Sequence, residues 1–277
     1  MGDWKTAVSA SASTVTIRNI SSYVDVNFND KSPIDNFYNR RLSLLSSVSP
    51  DFARENPSIP PLVIVGLISI TENYFREILA GIIKLCPKAK EKSANKSVNL
   101  ATAWFGYGEM EKGAFENTSF SDAKTIKKTL NELIGINLNN QSNQINTPLD
   151  EFGKLCELRH AIVHSAGLIA GKNAIKLELP NSMNSMKINI DYSGIQEAAE
   201  VCTSLVCAVN LELFINISRK WLNEWPRTPA YSGENFNKLF KKVWELFFSH
   251  VDKTNGLTTG HLTHVKARNL IVRTNAV

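Results

Sequence analysis

Apolar positions recur with helical spacing through most of the chain and alternate as in a strand in only two places. The plainest helical pattern is PPLVIVGLISITENYFREILAGIIKLCP, which opens at Pro60-Pro61, is apolar almost all round in its first half and closes at Cys86-Pro87. Proline suits the first helical turn and the position just past the last, and a helix apolar on every side belongs inside a bundle. The pattern therefore predicts a central buried helix. In SPID, Ser32 is placed as an N-cap, Pro33 at the first helical position and Asp35 three residues after the cap, so a helix runs from Pro33 to about Val48. TPLD repeats that signal with Thr147 as cap and Pro148 first. Amphipathic helices are predicted over Ser121 to Ile134 and Ser232 to Phe248, a further helix over residues 98 to 112, and a long one from about Gly194 to Trp225 that Pro226 and Pro229 end.

Between these lie PKAKEKSANKS (87–97), expected as an exposed basic connection, and the polar loop GINLNNQSNQIN. Alternation appears first in TVTIRNISSYVDVNF, which predicts one or two short strands in a loose arm rich in Ser, Thr, Val and Asn. It returns after Gly167, where AIKLELP and MKINIDY flank PNSMNS and predict a β-hairpin. The expected fold is mainly α, with an arm over residues 1–32, a helical domain over 33–225, and a C-terminal helix with a basic tail over 226–277.

Composition narrows the picture only modestly. In 277 residues, 43% are apolar and 21% charged, as in a soluble globular chain, and the +5 charge from 31 basic and 26 acidic residues allows a polyanionic partner without requiring one. A membrane span is not expected, because Glu72, Arg76, Glu77 and Lys84 interrupt the Pro61 run well short of the ~20 apolar residues a bilayer needs. Cys86, Cys156, Cys202 and Cys207 lie in or beside helix-like runs and are expected as free thiols in the cytoplasm. His261 and His264 make a lone HxxH in a loop-like tail, and WFGYGEMEKG lacks both the preceding strand and the GK[ST] of a phosphate loop, so neither a metal nor a cofactor is expected. The opening MGDWKT matches a loose myristoylation pattern over Gly2 to Thr6, but so short a pattern recurs by chance, and an ordinary amino terminus is expected.

One residue breaks the pattern. In the stretch LCELRHAIVHSAG, Leu155 to Gly167, the apolar stripe Leu149, Phe152, Leu155, Cys156, Leu158, Ile162 and Val163 has Arg159 near its middle. An uncompensated buried guanidinium costs several kcal/mol or more, so Arg159 must meet a carboxylate or face a polar cavity. Three readings compete: a structural ion pair with Glu72, an interface arginine, and an arginine that grips phosphate with its planar fork of donors. His164, five residues on, borders the stripe; His160 lies between them; Gly167 is a plausible helix stop.

RHAIVH, Arg159 to His164, resembles the Rx4H motif of the HEPN superfamily, including the polar residue directly after the arginine, here His160. The context is similar too, with a motif late on a helix, a glycine shortly after, a hairpin-like segment and another long helix, as in domains of the RiboL-PSP type. The likeness covers residues 33 to 222 in architecture, but only the motif helix carries specific residues. It implies an up-and-down helical bundle that dimerises across a shared cleft and cuts RNA without metal, acting as a toxin or in antiphage defence, alone or with an antitoxin or defence partner. His164 is then the general base or acid on the 2′-hydroxyl or the leaving 5′-oxygen, and Arg159 stabilises charge on the phosphate oxygens. His160 orients the nucleotide and Glu72 holds Arg159. The chain departs from the HxY extension of toxins controlled by tyrosine modification, reading His164-Ser165-Ala166. The tail cations Lys253, Lys266, Arg268 and Arg273 are expected to touch RNA through phosphates. The alternative is a catalytically silent module of the same kind that binds RNA or a protein.

Overall fold

The computed structural model describes residues 15–25, 31–105, 110–136, 143–259 and 262–274. The chain divides into two compact units, Met1–Asp30 and Lys31–Val277. In the first, the described residues form a single 3-10 turn, Ile20–Tyr23, where the alternating pattern predicted strands. Val15, Ile17 and Ile20 are exposed there, so among the described residues these apolar side chains have no second strand or core to bury against.

In the second unit Ser32 caps α1 (Pro33–Ser46), its hydroxyl accepting from the Asp35 N–H as SPID predicted. Ser49 caps the short α2 (Pro50–Glu55) in the same way. The Pro60-Pro61 pattern becomes α3 (Ile59–Leu85), the central helix, with Leu67, Ile68, Phe75, Ile78 and Leu79 wholly enclosed. The basic segment after it, expected as an exposed connection, is mostly exposed but starts as a helix: Pro87 opens α4 (Pro87–Ser93), and Ala89 anchors it by burial. Then follow α5 (Leu100–Phe105), α6 (Met110–Gly113) and α7 (Ala123–Ile134), the last capped by Asp122 and ended by Gly135 in the left-handed region at φ 82°. The WFGYGEMEKG stretch falls partly outside the described residues.

α8 (Asn143–His164) starts four residues before the predicted Thr147 cap and takes Pro148 inside. The first four N–H groups of any helix lack intrahelical partners, so a proline in the second turn forfeits only about one hydrogen bond, and buried Ile145 holds the extra turn. The predicted hairpin is replaced by α9 (Gly171–Lys176) and one antiparallel bridge, Leu168 to Lys187, flanked by Ile169 N–H to Met186 O at 2.9 Å and Ile188 N–H to Gly167 O at 2.8 Å. No strand forms among the described residues. Asp191 caps α10 (Tyr192–Asn223), which is long and apolar enough to cross a bilayer yet encloses Leu205, Val209 and Leu213 in the bundle. Two 3-10 turns lead to α11 (Phe236–Phe247), α12 (His250–Thr254) and α13 (His264–Thr274). The tail expected as loop-like is thus largely helical, because Ser249 caps α12 and Ala267 of α13 is buried.

The result is an α-helical bundle in which α3 packs against α1, α8, α10 and α11, and α10 against α3, α8 and α11. Gly81 makes the α3–α11 crossing this close, since a Cβ there would collide with Leu246. α8 lies on the seam between α3 and α10 and carries Arg159 out of it.

Candidate active site

Leu149 and Phe152 of α8 are fully buried and set the roll of the helix. Arg159 stands seven residues beyond Phe152, two turns along almost the same line of the helix. At Phe152 the core covers that line. At Arg159 it opens into a cleft of about 820 Å³ between the start of α7, the second half of α8, and α9. Arg159 is half-buried in the wall and His160 is exposed beside it.

Glu72 is not its partner. The buried Glu72 carboxylate accepts from the Ser121 N–H at 3.0 Å and pairs with Arg76 one turn along α3 at 3.6 Å. It therefore fixes Ser121, which lines the cleft, and the expected ion pair with Arg159 is absent. Among the described residues no hydrogen bond or ion pair reaches the Arg159 guanidinium. Its charge is nonetheless felt by the Cys156 thiol, where burial first, then Cys202, Glu72 and Asp122, push the pKa well up and Arg159 pulls it partly back.

The cleft's carboxylates are engaged elsewhere. Asp122 caps α7, accepting from Lys124 N–H at 3.2 Å and Thr125 N–H at 3.3 Å. Asp150 lies 3.7 Å from Lys127, and Glu157 holds Lys176 and accepts from Asn173 Nδ2 at 2.8 Å. Lys154 is bound by Glu151 at 2.7 Å, which raises its pKa. Lys124 and Lys172, like Arg159, line the cleft with no carboxylate partner among the described residues. Neither lysine belongs to the motif, and Lys172 lies in the short stretch between Gly167 and the segment expected as a hairpin, where no pattern marks it.

His164, on the last turn of α8, is exposed and packs its ring against His160 at 4.7 Å between centroids, tilted by 49°. It does not line the cleft, so of the motif's two fixed residues only Arg159 does, with His160 beside it in the lining. The tail cations also lie elsewhere. Lys253 is on α12 and Lys266, Arg268 and Arg273 on α13, which packs on α11, and none lines the cleft. No group of three His, Cys, Asp or Glu side chains suited to a metal occurs among the described residues; His261 lies outside them. Comparison with protein families, curated proteins and solved structures finds no match.

Proposed function

We propose that the chain is an endoribonuclease of the HEPN type, working as a homodimer in toxin action or antiphage defence and cleaving RNA without metal. The observation that carries this reading is the half-buried Arg159, whose donors lack an acidic partner in a cleft where every carboxylate is already engaged. A planar guanidinium so placed suits a phosphodiester, and the nearby imidazoles are groups that can accept and donate a proton. In the proposed step an imidazole, His164 by the resemblance, removes the proton of a ribose 2′-hydroxyl. The 2′-oxygen attacks phosphorus, the bond to the 5′-oxygen breaks, and that oxygen takes a proton as it leaves. Arg159 stabilises the charge gathered on the non-bridging oxygens. The products carry a 2′,3′-cyclic phosphate and a 5′-hydroxyl.

A second reading, an RNA-binding module without chemistry, is favoured by one observation: His164 lies outside the cleft lining. Incubating purified protein with total RNA in EDTA, beside His164→Ala, separates the two. Cleavage to 5′-hydroxyl ends that survives chelation and vanishes in the variant supports the nuclease; 5′-phosphate ends or strict magnesium dependence rules this mechanism out. Arg159→Lys keeps the charge and loses the fork, so kcat/KM is expected to fall by at least about 100-fold with thermal stability retained. Full activity would show that a point charge suffices.

A further inference from the structure

We infer that the cleft takes single-stranded RNA by its phosphate backbone, with Lys124 and Lys172 as the phosphate contacts on either side of Arg159. The inference rests on the reading of Arg159 as a phosphate group's partner, and adds which form of RNA is bound and what holds it.

Three features of the cleft carry it. First, the three unpaired cations come from three different elements: Lys124 from the first turn of α7, Arg159 from α8 and Lys172 from the first turn of α9. Cations drawn from three separate elements, with α8 in contact with both α7 and α9, match a chain of phosphates better than a single anion. Second, the volume of about 820 Å³ is that of a small-molecule pocket and admits a few nucleotides of a strand but no duplex. Gly153 and Ala123 line the cleft close together, a Cβ on the glycine standing 3.7 Å from the Ala123 methyl.

Third, among the described residues the lining holds no Phe, Tyr or Trp, and its one ring is His160. Proteins that read single-stranded RNA by sequence stack unpaired bases on aromatic side chains and bond their edges. This cleft offers one imidazole for stacking, while Asn173, the amide best suited to a base edge, is buried and committed to Glu157. Recognition therefore goes through the backbone, and base identity contributes little. The cations of α12 and α13, which face no such cleft, are not the principal contacts.

The test uses full-length His164→Ala protein, so that binding is read without cleavage, and short fluorescent oligouridylate and oligoadenylate as probes. Adding Lys124→Ala and Lys172→Ala is expected to weaken binding about tenfold or more at physiological salt. The slope of log K against log salt should fall by about 1.4, since each phosphate of a single strand that is no longer neutralised removes ~0.7. Arg268→Ala with Arg273→Ala is expected to leave that slope in place, the two homopolymers are expected to bind within a few-fold of each other, and a duplex is expected to compete poorly. Unchanged thermal unfolding of the lysine variant excludes a folding defect. Loss of the slope in the tail variant instead, strong preference for one base, tighter binding of duplex, or no RNA binding at all overturns the inference. Cleavage by the unmutated chain is scored separately: a protein that binds as described and cuts nothing keeps this inference and loses the nuclease, and one that cuts without dependence on the two lysines does the reverse.

Discussion

At the scale of single residues the interior keeps most of its polar groups by giving them partners, with the Ser218 hydroxyl and the Trp225 indole N–H as exceptions. Glu72 has Arg76 and the Ser121 N–H, buried Tyr74 donates to Asn210 at 3.2 Å, and Asn210 in turn donates to the Phe247 carbonyl at 2.9 Å. Cys202 of α10 is fully enclosed, and burial, only partly offset by a Thr71 hydrogen bond and the Arg41 charge, pushes its thiol up to about 11 from an ordinary 9.0. The folded state thus holds this proton more tightly than the unfolded chain does. Below pH 9 both states are protonated and stability is unaffected. Between pH 9 and 11 the unfolded chain loses the proton first and stability falls, by roughly 2–3 kcal/mol in total at about 1.4 per pH unit. Urea midpoints taken across this range should drop with that slope, and Cys202→Ala, whatever its cost at pH 7, should flatten it. A slope unchanged by the substitution would assign the alkaline loss to other groups.

Among elements, α9 decides the shape of the cleft, and it is the element the sequence reading placed wrongly. AIKLELP alternates over only a few residues, a run too short to separate a strand from a helical turn, and what makes it helical is distant in the chain. Asn173, buried at 5% exposure, donates Nδ2 to the Glu157 carboxylate and to the Glu157 carbonyl of α8, and Lys176 binds the same carboxylate one turn later. Partners one turn apart on α9 reach one acid on α8 only if the segment is helical. By contrast α1 and α3 were legible because caps and prolines lie within a few residues of the helix they start. Arg159 was legible as an oddity in an apolar stripe, but its lack of an acidic partner was not: Glu72 was offered by pattern, and the geometry that gives it to Arg76 and Ser121 is tertiary. Asn173→Ala should cost about 1–3 kcal/mol by leaving Glu157 short of a buried donor. Urea unfolding measures that, and amide exchange should locate the loss at residues 171–176; uniform loosening of the whole bundle would argue against so local a role.

For the molecule as a whole, the last 50 or so residues are tied to the first helix of the bundle by the Asp35 carboxylate and by Tyr38, whose hydroxyl donates to Asp252 at 3.2 Å. Asp35 of α1 is 3% exposed and accepts from the Ser249 hydroxyl at 2.7 Å, the His250 N–H at 3.0 Å and the Val251 N–H at 3.3 Å, so it caps α12 from across the chain. Around it Leu239, Phe240, Val243 and Phe247 of α11 are buried in the same core as α3 and α10. The region after Pro226, which sequence alone set apart from the helical domain, thus completes that domain's core. Each of those apolar side chains is worth about 1.5–3 kcal/mol when fully buried, so removing four of them costs about as much as a typical domain's entire stability. A chain ending at residue 225 would also strand the Asp35 carboxylate without its three donors. It is expected to lose cooperative thermal unfolding and to bind a hydrophobic dye. Asp35→Asn in the full chain isolates the clamp, since an amide of the same shape keeps the packing but gives up the charge-assisted bonds, and should lower stability by about 2–4 kcal/mol while unfolding remains a single transition. A truncated chain that melts cooperatively at the full-length midpoint would make the C-terminal helices an appendage, and an Asp35→Asn protein of unchanged stability would make the clamp incidental to the packing beneath it.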